Sequence, residues 1–399
     1  MPDARTPDAR TPQDGAVRQA LAEVQEPELR RPLTELGMVH GVAADGATVL
    51  VTLAAPLPGD SSRTEIRRRV IAAVGALPGV DRVDVEIRDM TPDEVVECAR
   101  VLKGEAPPNP LQVVDATTAG DDGHDHGHAH PPARPNPFTD SRTRVIAVSS
   151  GKGGVGKSSV TTNLAVALAA RGHAVAAVDA DVWGFSMPRM LGITAPPGLI
   201  DDVIVPPEAN GVRLISMGFF AREDQAVIWR GPMLHKALEQ FLTDVYWGEL
   251  DYLVVDMPPG TGDVSLSIAQ FLPRAEVVVV TTPQPAAQRV AQRAAAMAEK
   301  VDLRVIGVIE NMSWFTGDDG KRYEIFGTHG GAQLADELGV PLLGQIPLVP
   351  ELREGGDTGR PITVAEPDGE VARVFHTIAE RLDTDLAPRR VYNPELRIT

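Results

Sequence analysis

Two kinds of apolar run alternate over most of this 399-residue chain. Short β-branched runs such as Arg144-Val-Ile-Ala-Val-Ser149 and Glu276-Val-Val-Val-Val280 are apolar throughout, as strands covered on both faces are. The pattern predicts strands at 144–149, 174–179, 212–216, 251–256, 275–281, 303–309 and 341–345. Longer stretches with apolar residues three and four apart predict helices at 158–171, 231–245, 263–271, 285–300, 329–338 and 369–383. This alternation implies an α/β fold with a mostly parallel, doubly wound sheet over 144–386, and a ligand at the carboxyl ends of its strands.

The N-terminal part reads differently. Residues 1–13 repeat Pro-Asp-Ala-Arg and read as a disordered tail. Residues 14–104 read as a small α/β domain. Val17, Leu21 and Val24 share a helical face, and 48–53 is strand-like. Ile66, Val70, Ile71 and Val74 suit a second helix, and 82–87 alternates as a half-buried strand. A further helix is expected to begin at Thr91, with Pro92 in its first turn and Glu94 closing a capping box. Residues 105–143 are a linker rich in Pro, Gly, Asp and His, and 387–399 form a C-terminal tail.

The candidate chemistry sits between the first strand and first helix of the larger part. Residues 151–158 read Gly-Lys-Gly-Gly-Val-Gly-Lys-Ser, a full match to the phosphate-loop pattern. Gly151, Gly153, Gly154 and Gly156 permit backbone angles and close approaches that a Cβ blocks. Val155 and Ser159 complete the cradle. The loop amides and the positive helix end favour a polyphosphate, Lys157 is placed to neutralise its β- and γ-phosphates, and Ser158 to hold Mg²⁺. Asp256 ends an apolar strand and is followed by Met-Pro-Pro-Gly-Thr-Gly-Asp263, an acid able to reach Mg²⁺ ahead of a loop that can follow the γ-phosphate. Asp179 and Asp181 end another strand. One suits metal-bound water and the other the attacking water, unless the pair only caps a turn. Asn311 follows a further strand and suits either a purine edge or a turn.

Composition narrows the classes. The net charge of −17 argues against sequence-independent nucleic-acid binding. No apolar run approaches the ~18 residues of a membrane span, and no signal-peptide core is apparent, so the expectation is a cytoplasmic protein with no membrane or nucleic-acid partner. Cys98 is the only cysteine, which excludes an intramolecular disulfide. It lies in an apolar helical stretch and reads as a buried structural thiol. His124, His126, His128 and His130 alternate along the linker, as a chelating tract or a solvated low-complexity segment.

Several segments together carry a family resemblance. They are 151–159, Asp-Ala-Asp-Val-Trp-Gly-Phe-Ser-Met-Pro-Arg-Met-Leu-Gly (179–192), Arg-Gly-Pro-Met (230–233), Asp-Met-Pro-Pro-Gly-Thr-Gly-Asp (256–263), Glu-Asn-Met-Ser-Trp-Phe (310–315) and Arg-Glu-Gly-Gly-Asp (353–357). In these the larger part resembles the Mrp/ApbC ATPases, within the group that holds MinD, ParA and the nitrogenase iron protein. Residues 14–104, with Glu26-Pro-Glu-Leu29 and Leu36-Gly-Met-Val39, resemble the small iron–sulfur-assembly domain often fused ahead of them. The resemblance implies an ATP-hydrolysing homodimer that carries iron–sulfur clusters to apoproteins. It implies that Lys152 reaches the partner's nucleotide, that Asp181 assists water attack, and that Asp179 and Asp256 serve Mg²⁺. It also implies a Cys-x-x-Cys pair after 310–315, but Thr316-Gly-Asp-Asp319 stands there. An ATP-switched interaction protein that holds no cluster is therefore a second reading. A MinD- or ParA-like positioning ATPase is a third, disfavoured by the acidic charge and by a tail with two prolines.

Overall fold

The computed structural model describes residues 14–105, 136–139, 141–181, 184–220, 231–260 and 263–386. The expected tails, the histidine tract and Gly262 lie outside them, as do most of the linker and the first residue of 230–233. The described chain forms two compact units.

The N-terminal unit is built on a three-stranded sheet of β1 (Val39–Asp45), β2 (Thr48–Ala55) and β3 (Arg82–Asp89). The first pair is antiparallel and the second parallel, with α2 (Asp60–Gly75) as the crossover between β2 and β3. Helix α1 (Asp14–Ala22) buries Val17 and Leu21. Helix α3 (Pro92–Leu102) starts at the expected capping box: the Thr91 hydroxyl accepts from the Glu94 amide, and the Glu94 carboxylate accepts from the Thr91 amide. Strand β1 was not expected, because His40, Gly41 and Asp45 break any apolar alternation. This unit also takes in residues 197–206 and 244–248. Both segments lie within 144–386 of the sequence, and their place in this unit depends on tertiary packing.

The second unit carries an eight-stranded sheet. Its strands are β4 (Arg144–Ser150), β5 (Val175–Asp179), β8 (Glu208–Ala209), β9 (Val212–Ser216), β10 (Tyr252–Asp256), β11 (Glu276–Thr281), β12 (Arg304–Asn311) and β15 (Leu342–Ile346), in the order β15-β12-β11-β4-β10-β5-β9-β8. All neighbours are parallel except the short edge pair β8 and β9. The expected doubly wound, mostly parallel sheet is what forms. Between β5 and β8 the chain makes α5 (Met187–Leu191) and the hairpin β6 (Gly198–Ile200) and β7 (Val203–Val205). A second hairpin, β13 (Phe315–Thr316) with β14 (Arg322–Tyr323), follows β12. The remaining helices are α4 (Lys157–Ala170), α6 (Gly231–Thr243), α7 (Asp263–Phe271), α8 (Pro285–Lys300), α9 (Gly330–Leu338), α10 (Pro350–Thr358), α11 (Ile362–Ala365) and α12 (Glu370–Asp383).

Helix α4 is buried on nearly every side, and α12, which buries Val371, Ala372, Phe375, Ile378, Ala379 and Leu382, packs against it. This packing fixes the start of α4 against the tips of β4 and β10. The register then decides which tip residues meet. Asp256 pairs with Val148 on one side and Asp179 on the other, and Asp179 pairs with Ser216. Two carboxylates and a hydroxyl therefore stand in one row, about 4.8 Å apart from strand to strand.

Candidate functional site

The row of strand tips faces the loop between β4 and α4. Gly156, whose φ of 79° is left-handed, precedes the first residue of α4, and no side chain caps the helix. Its first-turn amides are thus available to an anion. Two glycines are required by close approach. A Cβ on Gly151 would lie 2.2 Å from the Val290 carbonyl carbon in α8, and one on Gly156 would lie 2.3 Å from Asn311 Nδ2. Gly153 and Gly154 have open space around them, and Gly154 has a φ of 80°.

Charge gathers at the helix start. Lys157 is 6% exposed, and its Nζ lies 2.7 Å from Asp256 Oδ1, 3.9 Å from Asp181 Oδ2 and 3.4 Å from Ser158 Oγ. Ser158 Oγ donates to Asp256 Oδ2 at 2.5 Å. Thr161 Oγ1 lies 2.7 Å from Asp256 Oδ1, one helical turn beyond Ser158. The sequence reading passed over Thr161; its signal was a hydroxyl at the helical spacing that continues the face of Lys157 and Ser158.

Asp179 is fully buried. Its Oδ2 accepts from the amides of Ser186 (3.1 Å) and Met187 (3.2 Å) and from Ser216 Oγ (3.0 Å). Burial, and then the neighbouring Asp256 carboxylate, push its pKa up to about 7 despite those donors. Two acids and a hydroxyl that share the Lys157 cation make a hard, oxygen-only donor set of the kind that suits a small divalent cation beside a phosphate. Among the described residues no group of three or more His, Cys, Asp or Glu is arranged around a metal position, so such a cation would take its other oxygens from a ligand or water.

The raised pKa has a testable sign. Without nucleotide or divalent metal, folded Asp179 keeps its proton while the unfolded carboxyl has lost it, between the ordinary value of 3.8 and about 7. The native state then binds more protons, so its stability falls as pH rises through that window. Asp179→Asn is expected to lack this slope. Thermal unfolding midpoints at pH 5 and pH 8 should show the variant gaining several degrees on the parent at the higher pH; parallel profiles would refute the assignment.

The other expected residues take distinct places. Asp181 lies two residues past the end of β5, so loop hydrogen bonds and not strand alternation aim it. Its Oδ1 accepts from the Gly184 amide at 3.1 Å while Oδ2 faces Lys157, so it both closes a turn and lines the site. Lys152 Nζ donates to Gln284 Oε1 at 3.1 Å. Asn311 Nδ2 donates to Val155 O at 2.9 Å, while its buried Oδ1 has no partner. That orphan acceptor beside the loop fits an exocyclic amino group. Ser159 lies in the first turn of α4, and its carbonyl accepts from Asn163 Nδ2 at 2.9 Å. Gln284 and Ser216 were not singled out from the sequence, because each joins the site only through strand order.

The hairpin at 315–323 holds no thiol. Asp319 accepts from the Lys321 amide (3.0 Å) and from Tyr323 Oη (2.9 Å), bonds that hold its carboxyl below the usual range. Arg322 stacks 4.2 Å over the Trp314 ring. Cys98 is buried in α3, and burial followed by the nearby Glu26 charge pushes its thiol up to about 12.

Comparison with known proteins agrees with this geometry. The model of the NUBPL iron-transfer P-loop NTPases matches residues 141–383, and that of iron–sulfur cluster assembly proteins matches 14–87. A Mycobacterium tuberculosis iron–sulfur cluster carrier protein is 44% identical over 379 residues, covering 93% of each chain. A Bacillus subtilis protein of the same description is 38% identical over 375 residues, covering 93% of this chain and 97% of its own. Among solved structures, an ADP complex of a nucleotide-binding protein from Archaeoglobus fulgidus is 34% identical with a TM-score of 0.51, covering 58% of this chain and 91% of its own. No helix among the described residues is long and apolar enough to cross a membrane. Loop, acid row and sequence relationship agree: this chain is an ATPase and belongs to the NUBPL-type iron-transfer P-loop NTPases.

Proposed function

We propose that this protein is a cytoplasmic, homodimeric, ATP-hydrolysing carrier that delivers iron–sulfur clusters to apoproteins. The observation that carries the ATPase half is the convergence of Lys157, Ser158, Thr161 and Asp256 on one point at the start of α4. In this reading the amides of 151–159 and the Lys157 ammonium bind the polyphosphate, and Asn311 Oδ1 accepts from the adenine amino group. Ser158, Asp179 and Asp256 hold Mg²⁺, which when bound offsets phosphate charge. Asp181 orients the attacking water. Lys152 turns from Gln284 toward the nucleotide of the partner subunit, adding positive charge where phosphoryl transfer builds negative charge.

The carrier half rests on the relatives' description and on the assembly-type domain model over 14–87. Clusters of this kind take thiolate ligands. Cys98, the only thiol, is buried and held protonated, and 316–319 supply none. We therefore assign the cluster thiolates to the client protein or to a small thiol bound with it. Anaerobic reconstitution of the dimer with iron and sulfide tests this. A visible chromophore is expected only when a glutathione-like thiol or a thiol-bearing apoprotein is added. No chromophore in any nucleotide state under either condition would favour the second reading, an ATP-switched interaction protein whose own surface offers no cluster ligand.

A further inference from the structure

Two segments from beyond residue 190 complete the N-terminal unit. From hairpin β6–β7, Ile200, Val203 and Val205 are buried in the same apolar cluster as Cys98, Ala99 and Leu102 of α3. Helix α3 packs on β6, Lys103 pairs with Asp202, and Leu57 sits against Gly198 so closely that a Cβ there would lie 2.9 Å from its Cδ2. The second segment, 244–248, follows α6 directly and bonds to the hairpin: the Ile204 amide donates to Asp244 O (2.9 Å), and the Tyr246 amide donates to Ile204 O (2.8 Å). Tyr246 Oη then donates to Leu29 O at 3.1 Å. The α3 face is thus an interaction surface, and its occupant is a hairpin of this same chain.

The hairpin's two stems share an anchor. On entry the amides of Ser186 and Met187, at the start of α5, donate to Asp179 Oδ2. On exit Ser216 Oγ, at the end of β9, donates to the same oxygen. Six residues including Pro196 and Pro197 join α5 to β6, and fixed proline φ angles take slack out of that link. One carboxylate oxygen in the acid row therefore bonds both flanks of the segment that fills the α3 face, alongside the packing of α5 on α4 and α10 and the β5–β9 ladder.

We propose that nucleotide occupancy is transmitted to the N-terminal unit by this hairpin, with Asp179 as the positioning residue. A ligand that draws Asp179 Oδ2 weakens both stems together and loosens the hairpin from α3. The inference rests on nucleotide binding at 151–159, but does not depend on cluster carriage.

Cys98 is a built-in reporter, since it is the only thiol, is 1% exposed and lies in the α3 cluster that the hairpin completes. Its modification by a maleimide is measured in the full-length protein without nucleotide, and with Mg²⁺ and a non-hydrolysable ATP analogue at a concentration shown by calorimetry to saturate. The modification rate of a buried group follows local opening, and about a tenfold rise with the analogue is expected. Asp179→Asn keeps an acceptor oxygen for the stems but attracts the ligand's cation less. It should label slowly and respond little to the analogue once saturated. Ile200→Ala, which opens a gap under α3, should label fast with or without analogue. An unchanged Cys98 rate in the parent chain with the analogue demonstrably bound overturns the proposal, as does a parental response in Asp179→Asn. Absence of calorimetric binding would instead overturn the reading of the phosphate loop.

Discussion

Lys157→Ala is expected to abolish nucleotide binding. The ammonium is almost wholly buried, with Asp256 Oδ1 at 2.7 Å and Asp181 Oδ2 at 3.9 Å. Without it, Asp179, Asp181 and Asp256 face an incoming polyphosphate with no fixed cation between them. Losing the charged partner of a buried, hydrogen-bonded phosphate contact costs about 4 kcal/mol of binding, or roughly three orders of magnitude in Kd. Equilibrium dialysis against labelled ATP with magnesium checks this, with circular dichroism to show that the variant is folded. A folded variant that binds within about tenfold of the parent, less than half that loss in free energy, would contradict the assigned role.

The second large effect falls on turnover alone. Lys152→Ala is expected to bind ATP as the parent does but to hydrolyse it about a thousandfold more slowly, the loss seen when a cation supplied to the transition state is removed. Among the described residues the Lys152 ammonium bonds only the neutral Gln284 amide, and no carboxylate pairs with it. Little would be lost when it swings away. Phosphate release measured across a range of protein concentrations tests both parts. The parent's specific activity should rise as dimer forms, whereas the variant should stay low throughout. Hydrolysis by Lys152→Ala at the parental rate would end the proposal that this lysine acts across a dimer.

Those two lysines also show what a sequence makes legible. The strands of the large sheet were readable because both faces are covered, and double coverage forces continuous apolar runs such as 276–280. The phosphate loop was readable because its geometry admits only glycine at Gly151 and Gly156, where a side chain would strike α8 or Asn311. Strand order was not readable, and it is strand order that sets Ser216, Asp179 and Asp256 in one row and brings Gln284 to Lys152. The short hairpin at 198–205 was missed for a related reason. Its apolar residues Ile200, Val203 and Val205 are too few to signal a periodicity, and they are buried against a helix about a hundred residues earlier in the chain. Cys98 was readable as a buried thiol from the apolar residues around it. The shift of its thiol to about 12 was not, because that comes from packing and from the charge of Glu26, far off in sequence but near in space.

ATP with its magnesium is expected to bind where β4 passes into α4. Isothermal titration of the folded, full-length protein with Mg·ATP tests it most directly. Saturable uptake of one nucleotide per chain is expected, lost in Lys157→Ala. A flat titration of demonstrably folded parent protein would contradict it.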